Sequence, residues 1–186
     1  MTKAAHVPPR QKSGVLGDER PIDQNIFYTT KNEAFANIDD VFVTIWRADT
    51  TVAGICALDV KSEEFQRRRP HGIGMLTVVE ARTPMPTAPA RQAIAAFLHR
   101  GSGFIRGSAV LFDGNSFRSS AVRGVATGLN ILARPPFPHK FFVDAHEALS
   151  FLVSTLPATV THAAPERMLG VLTGLRRRID EMPSTR

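Results

Sequence analysis

From about residue 33 onward the hydrophobic pattern of this chain switches repeatedly between a period of two and a helical period. In EAFANIDDVFVTIWRAD two apolar stretches flank Asp39-Asp40, and Val41, Val43 and Ile45 alternate with Phe42, Thr44 and Trp46. Alternation on both sides of a polar turn predicts a β-hairpin. Thr50 or Thr51 then stands where a helix N-cap belongs, ahead of Val52, Ile55, Cys56 and Leu58, and that helix ends before Pro70. GIGMLTVVEA predicts a buried strand, RTPMPTAPA a proline-rich turn, and residues Ala88 to Arg100 a helix stopped by Gly101 and Gly103. GSAVLFD is the next strand. A helix over about residues 117–133 carries Val122, Val125, Ala126, Leu129 and Leu132 on one side and is ended by RPPFP. KFFVDA reads as a short strand and AHEALSFLVSTL as a helix with Ala148, Leu149, Leu152 and Val153 inward.

A hairpin followed by alternating helices and strands implies an α/β fold. Its sheet is mixed and mostly parallel, opened by an antiparallel hairpin, with right-handed crossovers laying helices against it. Residues 1–25 hold Pro8, Pro9, Gly14, Gly17 and Pro21 among charges with no usable period, which predicts a flexible N-terminal arm. The α/β domain then covers residues 26–157, and residues 158–186 form a loop and a C-terminal amphipathic helix. In PERMLGVLTGLRRRIDEM the residues Met168, Leu172, Leu175, Ile179 and Met182 fall at steps of four and three, the seam spacing of a helix that packs along a partner. Two heptads do not decide between docking on the chain's own domain and pairing in a homodimer.

Composition narrows the class. The 186 residues are 43% hydrophobic, enough for one domain with a real core. The apolar runs fall far short of the roughly 18 residues of a membrane-spanning helix. A single cysteine, Cys56, and an N-terminus without an apolar signal segment point to the cytoplasm. The net charge of +6 raises the question of nucleic acid. Its distribution argues against that partner: Arg67 to Arg69 and Arg176 to Arg178 are consecutive runs that fan around a helix, and most of the twelve Phe sit inside apolar runs.

The stretch LFDGNSFRSSAVRG carries the main candidate chemistry. Gly114 suits a tight turn, Asn115 or Ser116 can cap the helix that follows, and free N–H groups of its first turn could hold an anion or a partner beside Asp113, Arg118 and Arg123. Capping alone explains the same residues. One glycine is no phosphate loop, and two arginines five apart diverge by about 140° around a helix. On the same helix Ser120, Gly124 and Gly128 recur every fourth residue and make a flat strip, fit for close packing or for a partner and homodimer face. Six scattered histidines and one cysteine give no metal-ligand spacing, no cofactor motif is present, and no serine has a nucleophile turn. His146, with Asp144 and Glu147, reads as the start of a helix. Asp113 and Glu80 both end strands and could meet as an acid and base pair.

The order of elements, with the Thr127-Gly128-Leu129 helix end and Asp144-Ala-His-Glu-Ala-Leu149, resembles STAS-like domains, the small α/β domains typified by anti-sigma-factor antagonists. The likeness covers about residues 27–156. It implies a non-enzymatic regulatory or scaffolding module that binds a protein partner, as in bacterial signalling. It also implies a switch by phosphorylation of a Ser or Thr after an Asp-Ser-Ser-Gly type turn. Here that place reads ARTPMPTAPAR, and Thr87 is the candidate; it is also the natural N-cap of the helix at Ala88. Lipid-binding CRAL-TRIO-like domains share a related layout. The alternative reading is therefore a small-ligand protein for a nucleotide, phosphometabolite or lipid, or an enzyme working at the turn near Asp113.

Overall fold

In the computed structural model, which describes residues 21–114, 135–158 and 162–182, six strands form a single sheet in sequence order. The strand β2 (Glu33–Ile38) runs antiparallel to both its neighbours, β1 (Gln24–Thr29) and β3 (Val41–Trp46). Beyond them β4 (Ile73–Val79), β5 (Ile105–Phe112) and β6 (His139–Phe142) continue the sheet parallel to β3. The mixed, mostly parallel α/β class expected from the hydrophobic pattern is therefore the one observed. The hairpin turns at Asp39-Asp40, as its alternation predicts, with Asp39 in the left-handed region at φ 50. Its carboxylate accepts hydrogen bonds from the Asp23 and Ala163 amides, tying the turn to both ends of the fold.

Strand β1 has no counterpart in the sequence reading, which placed no element before the hairpin. Its pairing with β2 shifts register between Ile26 and Tyr28. This bulge sends Phe27 and Tyr28 to the same face while Ile26 packs on the other. Period two is thereby broken inside a six-residue strand, and the alternation that marks a strand disappears.

Among the described residues four helices cover the two faces. On one lie α1 (Val52–Gln66) and α2 (Ala88–Arg100), the latter closed by a 3₁₀ turn at Gly101–Gly103. Thr51 Oγ1 accepts from the Gly54 amide at 3.0 Å and Thr87 Oγ1 from the Ala90 amide at 3.4 Å, so both predicted caps are in place. This side buries Phe35, Phe42, Trp46, Ile55, Met75 and Phe97. Val52 and Cys56, read as apolar positions of the first helix, are exposed.

The opposite face carries α3 (Ala145–Thr155) and α4 (Pro165–Glu181) over an aliphatic layer that includes Ala34, Ala36, Val43, Leu76 and Ala109. Asp144 caps α3 through the Glu147 amide at 2.8 Å. A side chain at Gly107 would run into Thr155, so this glycine lets α3 approach β5. Met168, Leu172, Leu175 and Ile179 are all buried against α3 and the sheet, so the seam of the C-terminal helix is consumed within its own domain. Met182, the last residue of that pattern, lies past the helix end and is 41% exposed. Among the described residues no helix is long and apolar enough to cross a membrane.

Candidate functional site

The parallel ladder extends one residue past the ends of β4 and β5. The Glu80 amide donates to the Trp46 carbonyl at 3.0 Å and the Asp113 amide to the Val79 carbonyl at 2.9 Å, which sets the two acids on neighbouring strand ends. They do meet as their positions suggested, but around a cation. Arg176, reaching over from α4, places Nη2 2.6 Å from Asp113 Oδ2 and 3.6 Å from Glu80 Oε1. Burial alone would weaken proton binding by this guanidinium; the hydrogen bond and charge of Asp113, joined by Glu80, outweigh it and raise its pKa above the ordinary value. The two acids envisaged as an acid and base pair thus share an ion pair with Arg176 that ties α4 to the strand ends. The sequence reading does not single out Arg176, because the run 176–178 enters it only as charge fanning around a helix.

Gly114 follows at φ 68, the turn its residue type suggested. Asn115, Ser116, Arg118, Ser120, Arg123, Gly124 and Gly128 lie outside the described residues, as does the whole helix expected over residues 117–133. Thr87 is exposed at the start of α2, where its hydroxyl acts as the cap. Among the described residues no three His, Cys, Asp or Glu side chains gather as metal ligands. His146 instead hydrogen-bonds Glu166 at 2.9 Å, linking the first turns of α3 and α4.

A second feature emerges on the outer side of α4. Gly170 and Gly174 stand four residues apart, and a Cβ added at either would meet nothing within 4 Å. Together with Ile22 and Gln24, from the segment that leads into β1, they line a surface groove of about 560 Å³. Among the described residues its charged lining consists of Arg167, Arg177 and Arg178, with no acid. Arg177 and Arg178 are exposed, and neither is held by the neighbouring Asp180, which pairs with Arg47 at 3.7 Å. The signal for this face is present in the sequence as Gly-x-x-x-Gly within GVLTG, the four-residue spacing also singled out at Ser120, Gly124 and Gly128. It was overshadowed by the apolar seam on the other side.

No protein-family model matches the chain, and none of the curated proteins matches it. Among solved structures it is similar to an uncharacterized protein from the DUF3478 family with a SpoIIAA-like fold from Shewanella loihica PV-4. The two are 12% identical, with a TM-score of 0.45 over 75% of this chain and 99% of the other.

Proposed function

We propose that this protein is a non-enzymatic regulatory or scaffolding module that acts by binding another protein, and that the groove between α4 and the segment entering β1 is its docking surface. The occupant it fits is an acidic segment of a protein partner. The observation that carries this reading is the glycine floor beside the exposed Arg177 and Arg178. Glycine inside a helix costs roughly 1 kcal/mol relative to alanine. Alanine would fit at both positions without contact, so packing within the described chain gives no reason for either glycine. A partner backbone laid along α4 does, because small residues permit close approach. The surrounding charge then selects its sign: Arg177 and Arg178 attract carboxylates and repel a second α4 presented symmetrically, which would set arginine against arginine.

The test is binding of the full chain to a fluorescent Glu-rich helical peptide, followed by anisotropy at low and high salt. Binding should weaken with salt and fall about tenfold or more in R177E/R178E, with a comparable loss in G170L/G174L. Indifference of the peptide affinity to both double variants would remove the proposal. So would a wild-type homodimer, seen by light scattering, that R177E/R178E dissociates, because the groove would then be a self-interface.

A further inference from the structure

We infer that the face of the sheet under α1 and α2 contains a binding site for a small, uncharged, largely apolar molecule bearing one hydroxyl group, of the phenol class. A cavity of about 120 Å³ lies between the sheet and these helices. Its floor comes from β4, β5 and β6, including Met75, Val110 and Phe141, and its walls from Ile94 and Phe97 of α2. For scale, an engineered cavity of about 150 Å³ lined by aliphatic and aromatic side chains binds benzene. The volume therefore suits one ring and excludes a lipid chain or a nucleotide.

The lining decides the chemistry. Among the described residues no Asp, Glu, Lys or Arg borders the cavity, so an ionised ligand would lose its hydration without a counter-charge from them. Its described residues with polar side-chain groups are Trp46, Thr50, Thr77, Ser108 and His139. His139 Nδ1 is buried without a hydrogen-bond partner among the described residues. An orphaned ring nitrogen in an apolar wall has a standing cost that a ligand hydroxyl removes, and a hydroxyl serves either tautomer because it both donates and accepts. Met85 also lines the cavity from the loop before α2 and is 38% exposed, an apolar side chain that gives the cavity a solvent-facing rim.

The full chain labelled at its methionine methyl groups and titrated with phenol reads the site directly. Met75 and Met85 line the cavity, whereas Met168 is buried under α4 on the other face. Phenol should shift the Met75 and Met85 resonances saturably at millimolar concentration and leave Met168 unmoved. Benzene should bind about tenfold more weakly, the equivalent of one neutral hydrogen bond, and benzoate should cause no shift. In H139F the preference for phenol over benzene should vanish, and in V110F, which fills the space, both should cease to bind. Absence of a saturable shift in the wild type, meaning the cavity is filled by the chain's own atoms, would overturn the inference. Benzoate binding as tightly as phenol would overturn it too, as would a Met168 response equal to that of Met75. The wild-type readouts need neither variant to fold.

Discussion

The two faces of the sheet bury similar numbers of strand positions with different kinds of side chain, and they close differently. Under α3 and α4 the layer is aliphatic, with Ala34, Ala36, Val43, Ala109, Leu149 and Leu152 fully buried. Small and branched side chains interdigitate to near-crystalline density, and two helices sit directly on them. Under α1 and α2 the layer is aromatic, with Phe35 stacked on Tyr28 at 4.7 Å and Phe42 edge-on to Phe65 at 5.5 Å. Polar side chains are threaded among the rings. Glu33 Oε2, Thr44 Oγ1 and His139 Nδ1, all on this side, are buried without hydrogen-bond partners among the described residues. Such groups cost stability, and rigid rings leave gaps that aliphatic chains would fill. The face under α1 and α2 accordingly retains the space and the larger share of unsatisfied polarity, while toward α4 only Arg47 Nε and His162 Nε2 are buried without partners among the described residues.

The sharpest way to break this contrast is to cut the same side chain from each face. Leu152, fully buried on α3, has no room around it, so Leu152→Ala should lower unfolding stability by about 4 kcal/mol, near the upper part of the range for such truncations. Leu98, on α2 beside the existing cavity, sits where neighbours can shift into free space, and Leu98→Ala should cost about 2 kcal/mol. Urea denaturation of both variants measures the difference. Equal losses would mean that the two faces are packed alike.

A second test uses protons as the probe of the looser face. Burial pushes the His139 pKa down from its ordinary 6.5 to about 4. Above 6.5 the ring is neutral in both folded and unfolded chains and contributes no pH dependence. Between 6.5 and 4 the unfolded chain takes up a proton that the folded chain refuses, so stability falls with falling pH. From pH 7 to pH 5 this contributes a loss of about 2 kcal/mol, which His139→Phe should abolish. The difference between wild-type and variant slopes isolates His139 from the other histidines. Parallel slopes would show that the ring is hydrated.

How much of this was legible in the sequence follows from the same physics. Elements whose period is undisturbed read correctly: the hairpin around Asp39-Asp40, α2 between Thr87 and Gly101, and α3 after Asp144. Strand β1 did not, because its bulge destroys the alternation on which the reading depends. The candidate sites were less legible still. Asp113 and Glu80 were paired from strand-end positions, yet their partner Arg176 is 63 residues from Asp113 along the chain, and no local pattern links them. The cavity has no motif at all. It arises from side chains of four strands and two helices, each of which alone reads as ordinary core.

The smallest effect concerns the start of α2, where structure and regulation make separable demands on Thr87. If its hydroxyl serves only as the cap, the residue needs a side-chain acceptor and nothing more. Thr87→Ala then removes that acceptor and should cost about 1 kcal/mol, whereas Thr87→Asp supplies a carboxylate at the positive end of the helix and should retain or slightly raise stability. The 3.4 Å contact to the Ala90 amide is longer than the 3.0 Å contact made by Thr51 on α1, so Thr51→Ala should be the more damaging of the two alanine variants. Thermal unfolding of the three proteins orders them. Because Thr87 is exposed, a phosphate there would meet the same helix terminus as the aspartate, and Thr87→Asp should then leave binding of the Glu-rich peptide to α4, on the opposite face, unchanged. A changed affinity in Thr87→Asp would instead reveal coupling across the sheet between the loosely packed face and the docking groove.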